Sequence, residues 1–517
     1  MCGILGVVRG GARGTGRECF TEALKLVRHR GPDALNVLDL GSVLLGHARL
    51  SIIDLSEAAQ QPLYDVTGRY VIIYNGEVYN FVELRVELER LGHRFASHSD
   101  TEVVIEAYKA WGERCLERFN GMFAFFLYDT ERRRGFAARD RFGVKPFYWA
   151  RVGGDFLFGS EVKPLLALGA GREPDLGYLE SFIVEAATDY GDGTMLKGVR
   201  QLEAGSYLVF EDGAPRFRRW WSPEDLFVEV PRTYRERVER YRELLMDAVR
   251  LRLRSDVQNA LTLSGGMDST SVYASYQHLR EESVAEATAR DLHAYTIRYA
   301  GSTIDETPAV EALTRGYGHH CRYVDVDRST ALHWLWDSMY YQEFPVWNIS
   351  SITYLQIYRA IQRDGTRVLL EGHGNDEILG GYHNHINLAI ASFIRRGQWG
   401  AAYDAARAFA AMRNEAVGQR PIPPLVALLY NAAPGLRRLR QGRLVADLNA
   451  AGIWDRTLRL EPRHFGAICG FAEILLARGE RLKALFAFDI ALRVNPHLGM
   501  VRLETEKLMR ERPELAH

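Results

Sequence analysis

The sequence predicts a mixed α/β and α+β multidomain protein. A sandwich of layered sheets and helices runs to about residue 215, a doubly wound parallel sheet spans 234–452, and a short helical segment occupies 453–517. Three observations carry this. The first part alternates short β-rich apolar runs with turn residues, and the second alternates apolar strands with helices, each strand leading into a loop rich in Gly, Asp or Ser. The last part repeats its pattern, with Pro462 and Pro496 standing 34 residues apart.

In the first domain, residues 42–46, 70–74 and 122–128 are continuous apolar runs, as strands covered on both faces require. Helical stretches fall between them at 81–91 and 101–111. Trp220-Trp221-Ser222-Pro223 marks a linker, with both tryptophans expected at the domain junction. Beyond it, strands at 260–263, 292–299 and 367–370 precede polar loops, and a helix is expected over 271–279.

Composition bounds the function. With 517 residues, 47% hydrophobic and 25% charged, the chain can fill two or three cores. A net charge of −1 gives no global attraction to nucleic acid or to a membrane, and the basic run Arg437-Arg438-Leu439-Arg440 is expected to be a solvated helix face. Five scattered cysteines (Cys2, Cys19, Cys115, Cys321, Cys469) fit neither a disulfide framework nor a metal-ligand spacing, so reduced thiols and a cytoplasmic location are expected. No basic segment precedes an apolar run at the N-terminus, and no apolar run reaches the ~18 residues of a membrane span.

Position two carries the chemistry. Removal of Met1, favoured by the small residue after it, would leave thiol and α-amine together on Cys2. An α-amine with a pKa of roughly 7.7–8.0 accepts a thiol proton near neutral pH, so Cys2 would act as nucleophile and base at once. Four polar turns accompany it: His29-Arg30-Gly31-Pro32-Asp33, Gly46-His47-Ala48-Arg49-Leu50-Ser51, Tyr74-Asn75-Gly76-Glu77-Val78-Tyr79-Asn80 and Ser99-Asp100-Thr101-Glu102. Singly each has a structural explanation, Asn75-Gly76 as a hairpin turn and Arg49 as a surface ion-pair partner. Together they supply what an amino-acid amide needs. Arg49 offers a guanidinium for the α-carboxylate, Glu77 and Asp100 offer carboxylates for the ammonium, and Asn75 with the Gly76 amide offers donors for the oxyanion formed on thiol attack.

On these residues, the stretch from 1 to about 215 resembles the glutaminase domain of class II glutamine amidotransferases, an N-terminal-nucleophile hydrolase fold. The resemblance implies that Cys2 attacks the side-chain amide of glutamine, that ammonia leaves, and that the thioester is hydrolysed. Arg49, Asn75, Gly76, Glu77 and Asp100 fall on the family's glutamine-binding positions. Residues 138–148 and 158–163 also resemble the family and are expected to be structural or interdomain elements.

A second motif, Leu263-Ser264-Gly265-Gly266-Met267-Asp268-Ser269-Thr270, lies between an apolar strand and a helix. Glycines let backbone approach phosphate, and hydroxyls with a helix N-terminus face the anion. Asp268 belongs there if a magnesium ion bridges it to pyrophosphate. A capped strand-to-helix turn would explain the loop alone, but Glu371-Gly372-His373-Gly374-Asn375-Asp376-Glu377 follows another apolar strand and adds carboxylates. The pair of motifs is similar to the ATP-pyrophosphatase domain of asparagine synthetases. That likeness implies ATP and Mg2+ as cofactors, with Asp268 and Asp376 on the metal and Ser264, Gly265, Gly266, Asp268, Ser269 and Thr270 around pyrophosphate, Leu263 leading in. An acceptor carboxylate, aspartate by default, would be adenylated and then amidated by ammonia.

Two departures stand out. His373 occupies the position usually held by glutamate, where a histidine remains a candidate general base but changes the charge offered to the acceptor. The family's C-terminal E-x-R-x-P-x-L-D motif is missing. In its place, Leu458-Arg459-Leu460-Glu461-Pro462 is echoed by Leu492-Arg493-Val494-Asn495-Pro496 at the tetratricopeptide period. That segment is either a docking module for a protein partner or a pair of capping helices, and homodimer formation is left open. Asn384, His385 and the helices through Met412 are candidates to complete the synthetase site. The expected enzyme is a glutamine-dependent asparagine synthetase. Its alternatives are a ligase of the same mechanism for another carboxylate, in a specialised metabolite, peptide or saccharide, and a repeat-mediated interaction protein with a weak synthetase site.

Overall fold

The structure is a computed structural model. It describes residues 1–417 except 11–13, 186–187, 189–190, 212, 289–290, 303, 318–320, 327–329 and 347–349. The tetratricopeptide-like segment, Cys469 and the basic run at 437–440 lie outside the described residues. The chain forms two compact units, Met1–His373 and Gly374–His517.

The first unit begins with two antiparallel six-stranded sheets. One orders its strands Val199–Gln201, Tyr148–Val152, Asp155–Gly159, Gly3–Val8, Val43–Arg49, Ala34–Asp39; the other orders them Ala214–Arg219, Ser206–Glu211, Arg134–Arg139, Gly121–Asp129, Tyr70–Val78, Leu63–Tyr64. Strand alternation assigns the layers. Ile4, Val8, Val43, Leu45, Val71, Ile73 and Phe126 form the core between the sheets. Leu5, Val7 and Leu44 pack outward on Phe20 and Leu24 of the helix Arg17–Lys25. Ile72, Tyr74 and Phe125 pack outward with the helices Phe81–Arg90 and Asp100–Trp111. The result is a helix–sheet–sheet–helix sandwich. Gly6 is obligatory in it, because a Cβ there would lie 2.0 Å from the Phe158 ring.

The same unit continues into a four-stranded sheet ordered Cys321–Asp325, His293–Arg298, Asn259–Thr262, Val368–Leu370, every pair parallel. Both faces are covered, one by the helix Met267–Glu281 through Val272, Tyr273 and Tyr276, the other by Ser350–Arg363 through Ile357 and Ile361. Strand order reverses between Asn259–Thr262 and Val368–Leu370, and in such sheets ligands lie beyond the strand ends at that switch. Both Gly-rich motifs start there.

Polar contacts tie sandwich to parallel sheet. Asp54 N–H donates to Asp256 Oδ2 at 2.7 Å and Asp256 N–H returns to Ile52 O at 2.9 Å, while Arg254 pairs with Glu83 and reaches Tyr79 O. Glu343 accepts the Val162 and Lys163 N–H groups, each at 2.7 Å. The tryptophans expected at the junction pack on the sandwich itself: Trp220 stacks on Phe123 and donates to Arg139 O, and Trp221 meets Phe142 edge-on.

In the second unit, the helices His383–Arg395 and Trp399–Val417 pack around Ile390 and Ala406. Among the described residues, no helix is long and apolar enough to cross a membrane.

Candidate functional site

The sandwich brings the first set of residues together by strand parity. Cys2, Ile4 and Val8 share one side of the first strand, His47 and Arg49 continue the side of Val43 and Leu45, and Asn75 and Glu77 continue that of Val71 and Ile73. All of these sides face the space between the sheets, so the polar ends of three strands meet there. Gly3 pairs with Ala48, which sets Cys2 opposite the Arg49–Leu50 step. Leu50 N–H donates to Cys2 Sγ at 3.3 Å, and Arg30 Nε donates to Cys2 O at 3.0 Å. The glycine of the Arg30-Gly31-Pro32 turn is needed for that approach, since a Cβ on Gly31 would lie 2.2 Å from the Ala48 carbonyl.

Asn75 and Gly76 lie inside the strand Tyr70–Val78, not in a hairpin turn. Pairing with Gly121–Asp129 overrides the local turn propensity, and a Cβ on Gly76 would meet Met122 O at 2.5 Å. Asn75 is only 1% exposed, and both polar atoms of its carboxamide are without a hydrogen-bond partner among the described residues. Asp100 opens the helix Asp100–Trp111 and accepts Tyr74 OH at 2.7 Å and Val78 N–H at 3.0 Å. Arg49 is anchored by Ser56 O at 2.9 Å and Asp54 O at 2.5 Å.

Burial dominates the electrostatics. It pushes the Cys2 thiol up, against the pull of the terminal amine, the Leu50 N–H and Lys145. It lifts Glu77 to about 7, opposed by Lys145, and Asp100 to about 6, opposed by the hydrogen bonds from Val78 and Tyr74. Burial also lowers the Met1 amine to about 5. Two carboxyl groups held this far above their ordinary range gain most from an arriving cation, such as an amino-acid ammonium.

At the parallel sheet, Leu263 continues the strand Asn259–Thr262 through its N–H to Tyr295 O at 2.7 Å. The Ser264 N–H and hydroxyl both meet Ser269 Oγ, at 3.0 and 2.9 Å, and Gly266 N–H returns to Ser264 Oγ. The helix begins at Met267, four residues before the expected 271, because Gly266 in extended conformation caps it; Asp268, Ser269 and Thr270 are therefore in its first turn. Gly265 N–H donates to the Glu306 carboxylate at 3.1 Å, so this loop already holds an anionic group. A Cβ on Gly372 would lie 2.5 Å from Ser269 N, so the second motif passes directly against the first.

His373 ends the first unit, with Nε2 3.0 Å from Tyr354 OH and Nδ1 3.7 Å from Glu371 Oε2. Glu371 also accepts Tyr358 OH and Thr262 Oγ1. Asp376 belongs to the second unit, in the helix Asn375–Leu379, where a Cβ on Gly381 would overlap its carboxylate at 1.8 Å. His385 follows in the helix His383–Arg395. The structure thus unites Ser264 to Thr270 with Gly372 and His373, and puts the two expected metal aspartates in different units. Among the described residues, no three His, Cys, Asp or Glu side chains converge as a metal site.

Sequence reasoning missed Arg30, Lys145, Tyr354 and Tyr358 as site neighbours. Arg30 stands in a quoted turn, but nothing in its spacing tells that its guanidinium reaches the Cys2 carbonyl. The tyrosines fall on the helix Ser350–Arg363 at a spacing of four, which reads as an ordinary helix face.

Residues 1–221 match the glutamine amidotransferase domain family, and residues 240–452 match the asparagine synthase family. A putative glutamine-hydrolysing asparagine synthetase 2 of Methanocaldococcus jannaschii is 31% identical over 433 residues, 77% of this chain and 78% of that protein. Glutamine-hydrolysing asparagine synthetase 3 of Bacillus subtilis is 34% identical over 68% of this chain and 58% of its own length. An amidase, chry2, of Gibberella zeae is 32% identical over 73% and 57%. The chain thus spans under two thirds of the latter two relatives. Among solved structures, a glutamine phosphoribosylpyrophosphate amidotransferase from B. subtilis is 16% identical, covering 63% of this chain and 91% of that one at a TM-score of 0.35.

Proposed function

Because the chain belongs to the glutamine-hydrolysing asparagine synthetase family, whose synthetase half uses ATP, we propose that it amidates an ATP-activated carboxylate, aspartate by default, with ammonia released from glutamine at Cys2. The observation that carries this reading is the buried carboxamide of Asn75, without a partner among the described residues, on the side of its strand that faces the other sheet. A buried polar group without a partner costs about 1–3 kcal/mol, and an oxyanion forming between Asn75 Nδ2 and the Gly76 N–H relieves that cost in the transition state.

The steps follow from the residues. Arg49 takes the α-carboxylate of glutamine, and Glu77 and Asp100 take its ammonium. With Met1 removed, the α-amine accepts the thiol proton, Cys2 sulfur bonds to the amide carbon, and the same proton leaves with ammonia. Water then cleaves the thioester to glutamate. At the parallel sheet, the acceptor carboxylate attacks the α-phosphorus of ATP, pyrophosphate leaves into the Ser264–Thr270 loop, and ammonia displaces AMP. Mg2+, when bound, would neutralise the pyrophosphate charge; Asp268 in the Ser264–Thr270 loop would hold it, and Asp376, in the second unit, is the other carboxylate that the motifs offer.

The test is pyrophosphate release with ATP, Mg2+ and glutamine, with and without aspartate, and asparagine detected by mass spectrometry. Aspartate-dependent release with asparagine formed supports the reading. Glutamine hydrolysis without aspartate-dependent release refutes aspartate as acceptor. A second reading, another carboxylate as acceptor, draws on the pairing of Glu371 with His373 beneath two tyrosines, since a carboxylate there opposes a second carboxylate on the substrate.

A further inference from the structure

We propose that Lys145 is a positioning residue of the glutaminase site, its ammonium set beside Cys2 as the fixed counter-charge of the attacking thiolate. This rests on the glutaminase reading of Cys2 and replaces the expectation that the loop around it is merely structural.

The loop turns itself inside out to present this side chain. Phe142 and Val144 are 74% and 53% exposed, whereas Lys145 between Val144 and Pro146 is 4% exposed. A lysine normally keeps its ammonium in water, so apolar groups outside and the charge inside is the reverse of what burial alone would select. The inversion is enforced. Asp140 accepts the Phe142, Val144 and Lys145 N–H groups at 3.0–3.1 Å, and the Phe123 N–H of the neighbouring strand at 3.1 Å. The Arg139 guanidinium holds the carbonyls of Gly143, Lys145 and Leu202 at 2.7–2.9 Å. Gly143 takes φ +65°, open to glycine at little cost. Asp140, Arg139 and Gly143 together leave Lys145 one direction.

That direction ends at the N-terminus, where Lys145 favours the Cys2 thiolate. Lys145 Nζ contacts Met1 Sδ at 2.9 Å, on the residue joined to Cys2. The charged groups facing this cluster are the terminal amine, Arg30, Glu77, Asp100 and Asp140, with Arg252 reaching Glu77 from the parallel-sheet side. Burial lowers Lys145 to about 8, against Glu77, which raises it, so it remains mostly protonated at neutral pH. Two buried carboxyl groups oppose a thiolate here; Arg49 is held on backbone carbonyls, and Arg30 commits Nε and Nη1 to Cys2 O and Glu161. Among the described residues, Lys145 is the buried side-chain cation that joins the terminal amine in favouring the thiolate. It keeps its proton throughout: the thiol proton still travels by the α-amine to the departing ammonia.

The experiment measures carbamidomethylation of Cys2 by iodoacetamide against pH, read by peptide mass spectrometry, and glutamate release from glutamine, in the full-length protein and in Lys145→Met and Lys145→Arg. The expected result is an alkylation midpoint about one pH unit higher in Lys145→Met, on the order of tenfold lower kcat at pH 7 that recovers toward pH 9, and a near wild-type midpoint in Lys145→Arg. Lys145→Gln replaces Lys145→Met if the latter loses its cooperative thermal melt. An unchanged midpoint in the neutral variant, or an activity loss equal at every pH, overturns the proposal. Wild-type protein that releases no glutamate refutes the glutaminase reading instead, and the midpoints still decide Lys145.

Discussion

Around Cys2, Arg49, Asn75 and Glu77 are buried on strands of two packed sheets, and buried Asp100 joins them from the start of a helix. The His373 side chain is 62% exposed, it meets Tyr354 and Glu371, and the motif it belongs to crosses from one compact unit into the next. The difference teaches where each chemistry gets its geometry. The first region is fixed by sheet register, whereas the second is built from a strand-to-helix loop and the Gly372 turn that passes against it. Substitutions in the first region should act locally on glutamine, and those in the second should act on ATP without disturbing glutamine.

The widest separation is expected from Cys2→Ala. Glutamate release should fall by at least about 10³-fold, while pyrophosphate release with ammonium chloride in place of glutamine persists. Loss of both in a folded variant would break the division into two sites. Asp376→Asn and Asp268→Asn should do the reverse, lowering pyrophosphate release by about 10²-fold or more with glutamate release unchanged. Asn75→Ala should reduce kcat for glutamine by about 10²–10³ with little change in KM, as loss of an oxyanion donor does.

Gly372→Ala sharpens the comparison, since its Cβ would press 2.5 Å from Ser269 N. Pyrophosphate release should drop and glutamate release should not. The smallest effect concerns stability. Glu77 ionises at about 7 in the fold against an ordinary 4.5, so the folded state binds the proton more tightly than the unfolded chain. The resulting loss of stability is absent below pH 4.5, grows as pH rises and is complete above 7. Glu77→Gln should therefore raise the melting temperature by a few degrees at pH 8 and hardly at pH 5, while weakening glutamine binding.

Much of this was legible before any coordinates. The switch in grammar near residue 234 announced the parallel sheet, and the order of polar turns after Cys2 announced the first site. Strand parity would have gone further: Cys2, Arg49, Asn75 and Glu77 all continue the inward-facing alternation of their strands. Asn75-Gly76 misled as a turn because local propensity for a bend is overruled by nine-residue pairing with Gly121–Asp129. The helix at Met267 begins earlier than its apolar pattern, because its first turn is polar. Lys145 was illegible for a different reason. Its burial is produced by backbone N–H groups donating to Asp140 and by Arg139 donating to backbone carbonyls, and backbone contacts leave no periodic mark.

The most direct test supplies glutamine labelled with ¹⁵N at the amide, together with ATP, Mg2+, aspartate and unlabelled ammonium, and follows the isotope into the product amide by mass spectrometry. The account predicts asparagine carrying ¹⁵N in wild type and only unlabelled nitrogen in Cys2→Ala. Asparagine from wild type carrying only unlabelled nitrogen, while glutamine is hydrolysed, would contradict delivery of ammonia from the Cys2 site to the parallel-sheet site.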